Sequence, residues 1–244
     1  MALLVGGSFT GGLTRVGLWT LAVAIDYAGP AWLTRERLRG LQRVAIAHFA
    51  ERYGLFVIIC LGESIVAIGV GAGSGARSFS FELVVAVALG LLITVGMWWT
   101  YFDRFAATAE ARLREHHDPV LAAADGYSYL HLMIVAGIIV FAVGVKLMVR
   151  GRVGSPLPEP ARLAMCGGVA LYLLGHVAFR MRMVGSIGYE KVAVGVALFV
   201  LYASGGGLPA WSIAAAVTAL MAALCVIETT DAYRAERPAL RSAR

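Results

Sequence analysis

The stretch Leu83–Phe102 reads LVVAVALGLLITVGMWWTYF and decides the fold class. Its twenty residues carry no charge, and about 20 consecutive apolar residues are what an α-helix needs to cross the hydrocarbon core of a bilayer. Near its end lie Trp98, Trp99 and Tyr101, whose amphipathic rings suit the interface between membrane and water. We therefore predict a membrane-spanning helix over this stretch.

Charge-free lengths on both sides of this stretch predict further spans within a single domain, residues 1–244. The predicted spans cover about residues 10–28, 53–72, 83–102, 127–149, 163–180, 189–204 and 209–228. The last two divide Val192–Ile227, 36 residues without a charge. As one helix this run would be about 54 Å long, far more than the roughly 30 Å core. We predict a hairpin turned at residues 205–209, because Pro209 suits the first turn of the next helix.

The composition agrees with an all-α integral membrane protein, a bundle of about seven transmembrane helices in a lipid bilayer. Of the 244 residues, 59% are hydrophobic and 15% are charged, with a mean hydropathy of +0.77, whereas soluble domains carry about 25% charged residues. These values exclude a soluble domain, a disordered chain and a disulfide scaffold. The three cysteines lie in apolar runs without CxxC spacing, and we interpret them as small buried hydrophobes.

The distribution of positive charge sets the predicted orientation. Of 21 Lys and Arg residues, 14 fall in the C-terminal tail and in the alternate loops on its side, and five fall on the opposite side. Basic residues are enriched in cytoplasmic loops. We therefore predict a multi-pass protein of the cytoplasmic membrane with its N-terminus outside and its C-terminus inside. Because basic loops account for the net charge of +6, we expect no nucleic-acid partner.

Glu63 is the sharpest candidate for a functional residue. It lies in the middle of the predicted span 53–72, where a charged and unpaired carboxylate costs several kcal/mol. It must therefore be neutral, paired or in a hydrated cavity. Its neighbours Gly62 and Ser64 would let another helix or water approach closely. Arg52 precedes Glu63 by 11 residues, close to three turns, so the two share a face about 16 Å apart along the axis.

A polar stripe leads from this residue toward the cytoplasmic edge. His48 lies one turn before Arg52, and Glu51 lies beside it. From another span, Arg15 is the best basic partner for Glu63. Two interpretations stay open: the stripe is a proton or ion pathway or a polar ligand pocket, or Glu63 makes a structural hydrogen bond between helices.

The other ionisable groups favour structural interpretations. His131 and His176 lie near the cytoplasmic ends of two spans, and we interpret them as hydrogen-bonded helix-end residues. The cluster Glu115-His116-His117-Asp118 precedes Pro119 and lacks the spacing of a metal-binding frame, so we predict a solvated cytoplasmic loop. No Ser/His/Asp or Cys/His arrangement is visible. We expect no metal, no cofactor and no enzymatic activity.

The stretch His48–Ser64, HFAERYGLFVIICLGES, resembles the signature of the bacterial low temperature requirement A (LtrA) family, roughly H-x-x-E-R-x-G-L-F-x-I-I-x-L-G-E-S. Residues 129–146 and 174–180 also resemble the family, so the resemblance covers nearly the whole chain. It implies a bacterial multi-pass inner-membrane protein and no known biochemical activity. A family motif like E-L-F-F-D-L-V-F-V, which opens additional spans, is absent. The chain therefore resembles the C-terminal two-thirds of a member.

The leading functional prediction is a transporter- or channel-like protein. Glu63 would be the central titrating or ligand-contacting group, with Arg52 and His48 as the cytoplasmic entry and Arg15 as a partner. A small solute or an ion would be the ligand, and the sequence leaves the oligomeric state open. The alternative is a non-transporting scaffold or envelope-homeostasis factor, whose polar groups only hold the bundle together.

Overall fold

The structure, a computed structural model, describes residues 1–29, 46–73, 80–115 and 129–242. Its helices in these ranges are α1 Ala2–Ser8, α2 Gly12–Gly29, α3 Ile46–Gly73, α4 Phe81–Thr100, α5 Ala106–Glu115, α6 His131–Arg150, α7 Glu159–Val184, α8 Tyr189–Ser204 and α9 Ala210–Ser242. A π-helical segment, Tyr101–Phe105, joins α4 to α5. The described residues contain no β-strand, only an isolated bridge between Pro156 and Pro209. The predicted all-α class is confirmed.

Five helices of the described part are long and apolar enough to cross a membrane. They are the stretches Ala50–Gly73, Phe81–Asp103, His131–Arg150, Glu159–Val184 and Ala210–Thr230. Helix α8, with 16 residues, and helix α2, which carries Arg15 and Asp26, are not in this set. Membrane character is thus shown, while the count of about seven spans stays a prediction. The basic loop predicted from Arg35 to Arg43 lies outside the described residues.

Helices α6 and α7 pack backbone to backbone at the centre of the bundle. A Cβ atom added to Gly137 would lie 2.4 Å from a backbone nitrogen of α7, and one added to Gly168 would lie 2.4 Å from a backbone nitrogen of α6. A Cβ atom added to Gly144 would lie 2.4 Å from a backbone nitrogen of α7, and one added to Gly175 would lie 2.9 Å from a backbone nitrogen of α6. Small residues allow this close approach between membrane helices, so these four glycines set the separation of the pair.

The remaining long helices surround this pair. Helix α3 packs on α6, α8 packs on α7, and α9 packs along α4 and α8, whereas α2 packs chiefly against the short α1. Side chains such as Ile138, Phe141 and Tyr172 are fully buried between the helices. Outward-facing residues such as Ile59 and Val66 are large and apolar, which suits contact with lipid tails.

The predicted turn between the last two helices is confirmed. Helix α8 ends at Ser204, residues Gly205–Gly207 form a 3₁₀ turn, and α9 begins at Ala210. The backbone nitrogen of Ala210 donates to the carbonyl oxygen of Ser155 at 2.9 Å, and that of Trp211 donates to Val153 at 3.3 Å. The loop after α6 and this turn therefore lie together at one end of the bundle, as two loops on one side of a membrane must.

Candidate functional site

Glu63 lies thirteen residues after Ala50, where the membrane-compatible part of α3 begins, or about 20 Å along the helix axis. Its side chain is exposed on the outside of the bundle. No hydrogen bond or ion pair of its carboxylate is found among the described residues. The next residue, Ser64, points inward and donates to the carbonyl oxygen of Cys60 at 3.4 Å. Within the described chain, the carboxylate therefore lacks a compensating partner.

The rest of the predicted stripe also lies on the surface of α3. His48, Glu51 and Arg52 are all exposed. Helix geometry places Arg52 and Glu63 within about 20° of each other around the axis, so both charges lie on the outward face. The stripe therefore follows the outside of the described bundle and does not line a cavity between its helices.

A surface cleft of about 280 Å³ lies at the opposite end of α3. Charged side chains of Glu82, Arg150 and Arg152 line it, together with Gly71 and other residues. Gly71 follows Glu63 by eight residues, or about 12 Å of helix. Glu63 is not among the lining residues, so the cleft is separate from the predicted site.

Arg15, the predicted partner of Glu63, makes its contacts within the N-terminal segment. Its Nε donates to the carbonyl oxygen of Thr10 at 2.7 Å, and its guanidinium carbon lies 5.8 Å from the centroid of the Trp19 ring. The described residues show no contact between Arg15 and Glu63. The pairing inferred from the sequence is thus not formed within one chain in this structure.

A second group of ionisable side chains lies inside the bundle. His131 on α6 and His176 on α7 are each 1% exposed. The ring centroid of Tyr101 lies 5.6 Å from that of His131 and 6.0 Å from that of His176. His131 does begin α6, as a helix-end residue would, but His176 lies eight residues before α7 ends. The sequence interpretation therefore missed that both imidazoles belong to the interior.

Polar atoms on α7 form a short hydrogen-bonded chain beside these rings. The hydroxyl of Tyr172 donates to the carbonyl oxygen of Met97 at 2.6 Å and lies 2.8 Å from the hydroxyl oxygen of Thr100. Nδ1 of His176 lies 3.0 Å from the carbonyl oxygen of Tyr172. For its Nε2, buried in the bundle, no hydrogen-bond partner is found among the described residues. Buried polar atoms nearly always have partners, so this nitrogen is an exception within the described part of the chain.

The π-helical segment brings two aromatic rings to the histidines. Tyr101 begins the segment and Phe105 ends it, and the Phe105 ring centroid lies 4.3 Å from that of His176. Such segments often occur at functional sites. The only signal in the sequence was the run of aromatic residues at the end of a charge-free span. A helical period of 3.6 residues does not reveal a π-helical turn.

A salt bridge joins Lys191 of α8 to Glu228 of α9. The two side chains are 9% and 19% exposed. Lys191 lies near the start of the predicted span 189–204, and Glu228 ends the predicted span 209–228. The low exposure of both side chains shows that the pair links two helices of the bundle. Because each charge compensates the other, both can leave water.

The described residues contain no group of three or more His, Cys, Asp or Glu side chains arranged to hold a metal ion. Residues 116–118 of the cluster interpreted as a solvated loop lie outside the described ranges.

The candidate site has two parts. One is the exposed Glu63 stripe on α3, and the other is the buried histidine–tyrosine cluster formed by Tyr101, His131, Tyr172 and His176.

Comparisons with known proteins agree with the resemblance seen in the sequence. A family model described as "Bacterial low temperature requirement A protein (LtrA)" matches residues 1–226. A curated protein of Rhizobium meliloti (strain 1021), named "Uncharacterized protein RA0937", is 34% identical over 175 residues. These residues make up 68% of this chain and 42% of that relative, so the match spans less than half of the relative's length. No solved structure matches the chain.

Proposed function

We propose, from the premise that the chain belongs to the bacterial low temperature requirement A (LtrA) family, that it is a transporter- or channel-like protein of the bacterial cytoplasmic membrane. It moves a small solute or an ion and catalyses no covalent chemistry. One observation carries the proposal: the Glu63 carboxylate lies far inside a membrane-compatible helix with no described partner. Ionisable residues at such depth mark substrate, ion or proton pathways by default.

In this proposal Glu63 binds the cation or the proton. Arg52 and His48 form its cytoplasmic entry, with Glu51 beside them on the exposed surface of α3. Ser64, the other predicted site residue on α3, is directed into the bundle and bonds its own helix. The buried histidine–tyrosine cluster supports the proposal as well, because proton relays in membranes are built from acidic and imidazole side chains.

A non-transporting scaffold or envelope-homeostasis factor is the second candidate. The exposure of Glu63 on the outside of the bundle favours it, because an outward carboxylate also suits a hydrogen bond to another membrane helix. Such a hydrogen bond is worth about 1 kcal/mol in a membrane. The two candidates differ in whether the negative charge of Glu63 is needed or only its shape and hydrogen-bonding capacity.

The change Glu63→Gln separates the two candidates. Gln keeps the size and most of the hydrogen bonding of Glu, but it carries no charge and takes up no proton. We expect Glu63→Gln, made at the matching position of a longer family member, to abolish rescue of the low-temperature growth defect from which the family takes its name, in a strain lacking the gene. Expression and thermal unfolding in detergent should stay near the unsubstituted protein.

Glu82→Gln is the matched control, because Glu82 is an exposed carboxylate at the start of α4 and should leave growth rescue intact. Full rescue by Glu63→Gln would refute a mechanism that depends on charge or protons. If Glu63→Leu then lowered the unfolding temperature, the lost hydrogen bond would leave a partner unpaired. The scaffold would then be the better assignment.

The proposed orientation places the N-terminus outside and the C-terminal tail inside. It predicts that a cysteine introduced at Ser155, in the loop after α6, reacts with an impermeant maleimide on intact cells. A cysteine introduced at Ser242, at the end of α9, should react only after the membrane is opened. Both are made in a chain without Cys60, Cys166 and Cys225. Labelling at Ser242 but not at Ser155 in intact cells would mean that the orientation is inverted.

A further inference from the structure

Two surfaces of the chain carry exposed charges within apolar surroundings. On α3, the Glu63 face comprises Arg52, Leu55, Phe56, Ile59 and Glu63. Its apolar members are strongly exposed: Leu55 is 52%, Phe56 is 47% and Ile59 is 66% exposed. On α2, Arg15 and Asp26 are exposed, along with large apolar side chains such as Val23, which is 56% exposed. On the α2 surface, Trp19 also contacts α1, where its Nε1 donates to the carbonyl oxygen of Leu4 at 3.2 Å. Neither surface is covered by the other in this structure.

The charges on the two surfaces have the same spacing and the same order, a basic residue followed by an acidic one. Arg15 precedes Asp26 by 11 residues, and Arg52 precedes Glu63 by 11 residues. Each pair therefore lies on one face of its helix, about 16 Å apart along the axis. When α2 and α3 lie antiparallel, a single alignment of the two helices places Arg15 opposite Glu63 and Asp26 opposite Arg52.

The apolar residues between the charges fit the same register. It places Trp19 near Ile59, two large apolar side chains, and the small Ala22 near the large Phe56. The guanidinium of Arg15 is also available. Its only hydrogen bond among the described residues uses Nε, donated to Thr10. The two terminal nitrogens of a guanidinium are the ones that pair with a carboxylate most favourably.

We propose that helix α2 of one copy docks antiparallel on the Glu63 face of a second copy, pairing Arg15 with Glu63 and Asp26 with Arg52. The occupant is a second copy because the charges of the two surfaces are complementary, while within one chain the Glu63 face stays open. Each copy offers one donor helix and one acceptor face, so two copies related by a twofold axis satisfy both contacts and leave none open.

The relative helix directions agree with this arrangement. In the predicted topology, α2 and α3 cross the membrane in opposite directions, and two copies in one membrane keep those directions. The α2 of one copy is therefore antiparallel to the α3 of the other. Pairing also removes the cost of the Glu63 charge, which lies deep in the membrane-compatible part of α3. The docking goes beyond the proposed function and does not depend on it, because it also fits the second candidate, in which Glu63 bonds another membrane helix.

The test measures association between two differently tagged copies that are expressed together and solubilised in mild detergent. Copies of the unsubstituted chain should co-purify. When both copies carry R15E, or both carry E63R, each contact brings together two like charges. Co-purification should then fall at least about tenfold, since like-charge contacts at interfaces cost several kcal/mol. R150E, at the exposed end of α6, is the control that changes charge outside both surfaces.

The decisive measurement co-expresses an R15E copy with an E63R copy. In this mixed pair one contact is unsubstituted and the other is charge-reversed, so both contacts join opposite charges. Co-purification of the mixed pair should recover to within about twofold of the unsubstituted chain. Failure of the mixed pair to recover overturns the proposal, whether or not each single variant folds.

The proposal is also overturned if folded protein is recovered when R15E and E63R are combined in one chain but not when they are in the mixed pair. That result assigns the contact between Arg15 and Glu63 to a single chain. Because association is measured without any transport or growth assay, its failure is distinct from failure of the proposed function, which Glu63→Gln tests by growth rescue.

Discussion

The change Gly137→Ala is expected to destabilise the bundle by about 3 kcal/mol, the upper end of the cost of adding atoms to a packed core. The added Cβ would lie 2.4 Å from the backbone nitrogen of Tyr172 and 2.7 Å from the carbonyl oxygen of Gly168. Backbone atoms of a helix cannot rotate away as the end of a side chain can. Helices α6 and α7 must therefore separate, which opens the core around Phe141. Thermal unfolding in detergent measures the loss.

Gly195→Ala is the matched control for this change. Gly195 lies in the middle of α8, and an added Cβ would meet nothing within 4 Å. Because alanine favours a helix over glycine by about 0.8–1 kcal/mol, this variant should be as stable as the unsubstituted chain or slightly more so. Equal unfolding temperatures for the two variants would show that α6 and α7 are not in backbone contact.

The change Glu228→Leu is expected to cost about 3–5 kcal/mol, the usual effect of removing one partner from a buried ion pair. The Lys191 side chain is 9% exposed, so its ammonium would be left in the bundle without its counterion. The double variant Lys191→Met/Glu228→Leu should recover most of the stability, because no buried charge then remains. A double-mutant cycle of unfolding free energies measures the coupling.

The salt bridge between Arg180 and Glu190 is the comparison, since its side chains are 44% and 26% exposed. Glu190→Leu should cost less than about 1 kcal/mol, as is usual for exposed ion pairs. If Glu228→Leu cost no more than Glu190→Leu, or if the double variant were less stable than Glu228→Leu alone, the Lys191–Glu228 pair would not be a buried one.

Helix positions were predictable from the sequence because they depend on local properties of the chain. The expected segment 189–204 is the helix Tyr189–Ser204, and the expected segment 83–102 lies close to Phe81–Thr100. The break at Gly205–Gly207 was also predictable, since a charge-free run longer than the bilayer must turn and glycines followed by proline permit it. The expected 163–180 underestimated α7, Glu159–Val184, because charged residues at its ends were taken for loops.

The candidate site was predictable only in part. Glu63 was recognisable because a carboxylate among apolar residues is conspicuous at any depth of a span. Which way it points was not, because all sides of such a helix are apolar and periodicity assigns no inner face. His176 shows the opposite case. Its sequence neighbours suggest an ordinary helix end, and its burial beside Tyr101 results from the way α4 and α7 pack.

The sequence by itself determined the class of protein, the approximate positions of the long helices and the family, because hydrophobic length and motif spacing are properties of consecutive residues. Only the tertiary structure decided which glycines bring helices into contact, which ionisable groups are buried and which face of α3 stays open. Those properties depend on pairs of residues far apart in the chain, such as Gly137 with Gly168 and Lys191 with Glu228. Helices apolar on every side leave the choice of neighbours to packing and to the pairing of buried polar groups.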